Sequence, residues 1–270
     1  MIGDITIGQY FPGKSAVHKL DPRMKIILTM IIIVTLFLCK NFISLAFAVA
    51  FAVIIIGISK TPFKTVFKSL KPLVLIILLT AVLNLLYGSG EPVFTIGKLT
   101  VYDGGIYSAI FMAVRIIVLI IEGSMLTYTT SPTDLTDAIE RLLKPLKYIK
   151  VDVHSIAMIM TIALRFIPTL IEEIEKITAA QKSRGADMES GNLIKRVKAL
   201  VPIIIPLFVS SFRCAFDLAY AMECRCYRGG EGRTKMKVLK MGARDYIALA
   251  VIIAFTALVI YFNTLMAAVV

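Results

Sequence analysis

Histidine and cysteine are scarce here: His18, His154, Cys39, Cys214, Cys224 and Cys226 are all that 270 residues contain. A Cys-x-Cys pair with no second pair and no nearby histidine does not build a tetrahedral zinc site, so no metal site is expected. Neither histidine has a nucleophile at a meaningful spacing, and Glu172, Glu173 and Glu175 fit the solvated face of a helix. No catalytic residues are expected, which argues against an enzyme. Residues 1–21 lack an apolar core of the signal-peptide kind, so the first apolar segment is read as part of the mature fold. Acidic residues are few as well, 18 against 30 lysines and arginines, for a formal net charge of +12. The basic residues fall mostly between apolar runs, which fits the positive-inside bias of membrane proteins better than a nucleic-acid patch.

What the chain has in excess is apolar side chains: 58% of residues, with a mean hydropathy of +0.83. A soluble domain carries about 45 to 50%, so a bilayer is the expected solvent. Five segments approach the roughly 20 residues that a span needs; they begin at Lys25, Phe42, Pro72, Gly105 and Asp245. Lys40-Asn41 separates the first two as a tight helical hairpin. A polar loop with Gly88, Gly90, Pro92 and Gly104-Gly105 lies between the third and fourth. Lys14, Lys19, Arg23 and Lys25 precede the first span and Lys60, Lys64, Lys68 and Lys71 fill the second loop, whereas the alternate loops hold only Lys40 and Lys98. The bias places the N-terminus in the cytoplasm and, after five spans, the C-terminus outside. With the basic side cytoplasmic, Cys214, Cys224 and Cys226 are expected as reduced thiols.

Between Thr130 and Arg244 the chain is rich in both charge signs yet holds "SIAMIMTIALRFIPTLI" and "ALVPIIIPLFVSSF". The first would put Arg165 in mid-membrane, at a cost of about 3 kcal/mol, and the second is short and carries Pro202 and Pro206. Both are therefore read as parts of long amphipathic helices at or below the cytoplasmic interface. Leu164, Ile167, Ile171, Ile174 and Ile177 recur at helical spacing, with Glu172, Glu173, Glu175 and Lys176 off that stripe, and Gly185 supplies a stop. A second long helix is expected from about Leu193 to Tyr227, before Gly229-Gly230. A shorter one opens at Ser131 as cap, with Pro132 in the first turn and Asp134 three residues after the cap. The expected fold is an all-α integral membrane protein of about five transmembrane helices with a cytoplasmic domain of about three amphipathic helices. Its parts are a membrane domain over 1–130, the cytoplasmic domain over 131–243 and a final span over 244–270.

Three features bear on function. "GQYFPGKS", Gly8 to Ser15, satisfies the P-loop pattern, but only "DITI" precedes it and Pro22 follows within seven residues of Ser15. The buried strand and following helix that aim backbone amides at a phosphate are missing, so nucleotide binding is not expected. Arg115 and Glu122 lie two turns apart on one face of the fourth span; they serve either an intramembrane contact with a partner or a tie within the chain, with snorkelling a further reading of Glu122. Finally "SRG" at Ser183–Gly185 and "CRC" at Cys224–Cys226 each set an arginine at the end of a long helix. A guanidinium fork suits bidentate pairing with a carboxylate, and two such tips suggest one socket on each of two similar partners.

Four stretches carry a family resemblance: "GQYFPGKSAVHKLDPRMK", "TTSPTDLTDAIERLLKPLK", "ALRFIPTLIEEIEKITAAQKSRGAD" and "DLAYAMECRCYRGGEGRT". Over essentially its whole length the chain resembles the transmembrane T component of energy-coupling factor (ECF) transporters, bacterial importers of vitamins and metal ions. The resemblance implies a multi-pass protein of the bacterial plasma membrane that binds two ABC-type ATPases and a substrate-capture (S) subunit. The two long helices become crossed coupling helices, and the 131–243 domain a coupling domain. ATP and magnesium would act on the ATPases, with no cofactor bound by this chain, and the family's paired Ala-Arg-Gly motifs fall on Arg184 and Arg225. Ser183 replaces the first alanine, and Cys224 and Cys226 replace the second alanine and its glycine. Ser183, Arg184, Gly185, Cys224, Arg225 and Cys226 are thus the candidate ATPase-binding residues, with Arg228, Glu223 and Asp187 as candidate supports. Met158, Met160 and Ala163 suit a sliding interface or a packed core equally. A self-contained secondary transporter is the alternative reading, with "SIAMIMTIALRFIPTLI" in the membrane.

Overall fold

A computed structural model describes residues 10–88, 92–96, 99–186, 193–229 and 239–267. Its chain divides into two compact units. Residues 10–135 and 239–267 fall in one, and residues 136–186 and 193–229 in the other.

The first unit is built on α1 (Pro22–Leu38), α2 (Phe42–Ser59), α3 (Phe63–Leu70), α4 (Val74–Leu86), α5 (Asp103–Thr129) and α9 (Ala243–Ala267). Asp21 starts α1 because its carboxylate accepts from the Arg23 amide while Pro22 supplies a pre-set first turn. Met24, Leu28, Ile32 and Leu36 recur every four residues and form the buried face of α1. On α2 the buried face is Leu45, Ala48, Ala52 and Ile56, whose two alanines bring backbones close. Leu28, Ile32, Leu36, Ala48, Ala52, Val118, Ile252 and Val259 close one core from α1, α2, α5 and α9. Phe51 stacks on Phe255 with ring centroids 4.3 Å apart.

Polar clamps hold the two ends of this core. At one end Asn263 of α9 donates to the Leu38 carbonyl (2.7 Å) and accepts from the Ser44 hydroxyl (2.7 Å) and the Lys40 amide (3.3 Å). These bonds satisfy groups that the α1–α2 turn leaves open. Thr35 and Thr256 share a hydrogen bond at 2.9 Å in the span interior. At the other end the Asp21 amide donates to Asp245 (2.8 Å), and Lys25 Nζ donates to the carbonyls of Thr129 (2.8 Å) and His18 (3.2 Å).

Between α4 and α5, where the sequence reading has a polar loop, β1 (Pro92–Ile96) and β2 (Leu99–Tyr102) pair antiparallel, with Thr95 opposite Thr100 and Ile96 opposite Leu99. The β-branched and aromatic run "PVFTIGKLTVY", interrupted by Gly-Lys, carries the physical reason. All other regular structure among the described residues is helical.

The second unit holds α7 (Val153–Ser183) and α8 (Leu193–Cys224), and α6 (Pro132–Leu142) crosses the boundary in the chain. Ser131 caps α6 through its hydroxyl to the Asp134 amide at 3.1 Å, as its sequence indicates. Among the described residues, six helices are long and apolar enough to cross a membrane: α2, the Phe63–Leu86 stretch of α3 and α4, α5, α7, Lys198–Cys224 of α8, and Ala243–Leu265 of α9. With 17 residues, α1 sits at the lower edge of the spanning range. The protein is therefore a multi-pass integral membrane protein. The sequence reading puts α7 and α8 outside the bilayer, partly because the apolar stretch of α8 looks short. The helix runs 32 residues through Pro202 and Pro206, in line with the long helix expected from about Leu193 to Tyr227, and its Lys198–Cys224 stretch is long and apolar enough to span.

Candidate functional site

The candidate site is a pair of helix ends in the second unit. α7 and α8 pack side by side and antiparallel. Tyr227 Oη donates to Met158 Sδ (2.8 Å), Ser210 Oγ to Glu173 (3.3 Å) and Gln181 Nε2 to the Pro202 carbonyl (3.3 Å), so partners rise along one helix as they fall along the other. Ile162, Phe166 and Leu170 line one wall of an apolar groove of about 300 Å³, and Cys214, Leu218 and Met222 the other.

Both helices end in the same backbone motif. At the end of α7 the Gly185 amide donates to the Lys182 carbonyl (3.0 Å) and the Ala186 amide to the Gln181 carbonyl (3.0 Å), with Gly185 at φ +85°. At the end of α8 the Cys226 amide donates to Glu223 (2.8 Å) and the Tyr227 amide to Met222 (3.0 Å), with Cys226 at φ +54°. Each pair of bonds is a Schellman closure, in which a left-handed residue turns the chain back onto the last carbonyls. Arg184 and Arg225 therefore occupy one equivalent position, the cap residue before the left-handed one. Ser183, Arg184, Gly185, Cys224, Arg225 and Cys226 are all exposed, as are Glu223 and Arg228; Asp187 lies outside the described residues. Neither cap arginine makes a side-chain hydrogen bond or ion pair among the described residues.

The antiparallel register separates the tips. Arg184 lies one turn beyond the Gln181–Pro202 contact, and Arg225 just before the Tyr227–Met158 contact. At 1.5 Å per residue the two cap positions lie roughly 37 Å apart along the pair. Position Tyr227 was not a sequence candidate; its aromatic ring, two residues past an arginine that ends a helix, is the signal that marks it.

Arg115 and Glu122 lie apart from this site. Arg115 donates to the Cys39 carbonyl at the end of α1 and stands over the Phe111 ring, 4.6 Å from its centroid. It thereby ties α5 to the α1–α2 turn. Glu122 is buried, 4% exposed, and its side chain has no hydrogen-bond partner among the described residues.

The P-loop match resolves into local structure. His18 Nε2 donates to the Phe11 carbonyl (3.0 Å), the Ser15 hydroxyl bonds His18 Nδ1 (2.7 Å), and the Phe11 amide donates to the Tyr128 carbonyl (3.0 Å). A Cβ at Gly13 would stand 2.6 Å from the imidazole, which accounts for the glycine. Ser15 holds the ring and Lys14 is exposed.

An apolar multi-span bundle and a helical pair with exposed arginine tips define a membrane-embedded helical protein. Residues 13–236 match the family described as CbiQ, cobalt transport protein, and the chain belongs to that family. It is 56% identical over 250 residues to the energy-coupling factor transporter transmembrane protein EcfT of Clostridium kluyveri, a match covering 92% of this chain and 93% of that one. The protein of the same name from Ruminiclostridium cellulolyticum is 51% identical over 96% of this chain and 97% of its own. That from Bacillus subtilis is 43% identical over 97% and 99%.

Proposed function

We propose that this chain couples ATP hydrolysis by two cytoplasmic ABC-type ATPases to substrate release by a membrane-embedded capture subunit, with Arg184 and Arg225 as the two ATPase contacts. The observation that carries this reading is the equivalence of the tips. Two arginines with no side-chain partner among the described residues sit at the same position of the same closure, at opposite ends of one helical pair, as two similar sockets require. The Schellman bonds occupy carbonyls of each last turn, and neither guanidinium is engaged among the described residues, so each fork is available to pair with a carboxylate in a groove. Closure of the ATPases on ATP would move both tips, and the contacts between α7 and α8 would carry that movement along the pair. ATP and magnesium belong to the ATPases, and the capture subunit sets the substrate. The basic loops favour a cytoplasmic N-terminus and an external C-terminus in the bacterial plasma membrane.

The length and apolarity of α7 and α8 favour a second reading, a self-contained secondary transporter. Copurification separates the two. A coupling component brings down two ATPase chains and a small membrane protein, and a secondary transporter comes alone.

Reversal of the arginines tests the contacts themselves. Arg184→Glu or Arg225→Glu removes the fork and sets like charges together, and in a desolvated joint this costs several kcal/mol, on the order of 2 to 5. Each single reversal should weaken ATPase recovery or uncouple hydrolysis from uptake, and the double reversal should abolish the complex at equal expression. A solvated arginine would change stability by less than about 0.5 kcal/mol. Wild-type uptake and ATPase recovery in the double variant would sink the assignment.

A further inference from the structure

In the first unit, α3 carries an exposed face that the protein's own packing leaves unused. Its rotation is fixed from the other side. Val66, 2% exposed, packs with Ile56, Met125 and Tyr128, and Tyr128 Oη donates to the Thr65 carbonyl at 3.3 Å. With Val66 turned inward, Phe63 and Phe67, one turn apart, are 56% and 67% exposed. Lys64 and Lys68, also one turn apart, follow these phenylalanines by one residue and so lie about 100° further round the helix. Both are exposed, as are Lys60 before the helix and Lys71 after it. None of the four ammonium groups pairs with an acidic side chain among the described residues.

An aromatic edge beside a lysine edge is the pattern of a helix lying in a membrane interface, with rings at the acyl boundary and ammonium groups at the phosphates. The positive-inside bias accounts for lysines in this loop but not for two exposed phenylalanines in register beside them. The apolar side also continues into the bilayer, because α4 exposes Val74, Leu75, Leu78 and Leu79 directly beyond the turn at Lys71–Leu73.

We propose that α3 is an interfacial anchor that seats Phe63 and Phe67 in the bilayer and gathers anionic phospholipid headgroups on Lys60, Lys64, Lys68 and Lys71. Juxtamembrane basic residues each gain roughly fivefold in affinity from an anionic surface. The site therefore enriches anionic lipid at α3 over the zwitterionic lipid around it.

The chain has no tryptophan, so Phe67→Trp places a single reporter on this face and Phe63→Trp, in a separate variant, a second. The full chain carrying either one is reconstituted in phosphatidylcholine vesicles with 20 mol% of brominated phosphatidylglycerol or of brominated phosphatidylcholine. Brominated phosphatidylglycerol should quench at least fivefold more effectively at low salt, and Lys64→Gln with Lys68→Gln should remove most of that preference. Leu75→Trp on α4 should show no preference. Equal quenching of the Phe67→Trp variant by the two lipids, the same preference in the Leu75→Trp variant, or no quenching at either α3 reporter would overturn the proposal. Loss of the preference on adding inorganic phosphate at matched ionic strength would overturn it too, by assigning the lysines to a soluble anion.

Discussion

Cys226 holds a backbone conformation that glycine adopts freely and that costs another residue about 1 to 2 kcal/mol. Its φ of +54° against +85° at Gly185 makes the two tips alike in hydrogen bonding and unlike in strain. Cys226→Gly should lengthen the hydrogen-exchange protection of the Cys226 and Tyr227 amides by about 1 kcal/mol of opening free energy. Gly185→Ala should shorten protection at Gly185 and Ala186 by a similar amount, since its Cβ meets nothing within 4 Å and only the backbone resists. Equal protection in parent and variant would show that the C-terminal closure of α8 carries no such strain. The two arginines were legible in the sequence because each stands beside a helix-ending signal. The geometry of Cys226 was not, because a cysteine carries no left-handed preference and only the closing bonds impose one. Burial of Glu122 within the chain was one of the readings left open, since a helical period reports a face and not what covers it.

At the level of elements, the N-terminal strap from Tyr10 to Asp21 fastens α1 to α5 through side-chain and backbone bonds. The Phe11 carbonyl can only accept, so His18 Nε2 carries a proton and Nδ1 is left to accept from Ser15. Burial, aided by the nearby Lys25 charge and opposed by the bond to Phe11, holds the imidazole below its ordinary 6.5. A histidine held low in the folded state favours the neutral ring, so its contribution is present above pH 6.5 and falls away as the unfolded chain protonates below it. Protection of the Phe11 amide should therefore drop between pH 7.5 and pH 5.5, beyond the intrinsic exchange dependence, and His18→Gln should remove that drop. A pH-independent Phe11 amide in the parent protein would refute the role given to His18. In the strap Gly13 and Ser15, two residues of the rejected motif match, answer to a local need, the packing and hydrogen bonding of His18, and Lys14 is exposed. The helix ends at Ser131 and Gly185 were readable from capping chemistry, and the β1–β2 hairpin was readable but masked by its glycines. The continuity of α8 was read from its expected span of about Leu193 to Tyr227, although prolines tend to break helices, and the helix keeps it through Pro202 and Pro206.

For the molecule as a whole, apolar mass and loop charge indicate a polytopic membrane protein, and the fold bears out its helical, multi-pass character. The pairing of α7 with α8 came from the family resemblance and not from periodicity, which identifies faces without naming their partners. Orientation rests on the lysine asymmetry and has its own test. In intact cells, a membrane-impermeant thiol reagent should leave Cys226 unmodified in a variant that keeps no other cysteine, and permeabilisation should expose it. Labelling before permeabilisation would invert the orientation. The first unit closes only when the last helix joins the first: Asp21 waits for Asp245, Thr35 for Thr256 and Ser44 for Asn263, partners 224, 221 and 219 residues later. At a synthesis rate of about 5 to 20 residues per second, roughly 10 to 45 s pass between the emergence of each polar group and that of its partner. For that interval α1 sits in lipid without its α9 partners, the Thr35 hydroxyl held only by the Ile31 carbonyl of its own helix, so the age of the nascent chain, as much as its sequence, determines when the bundle becomes a single object.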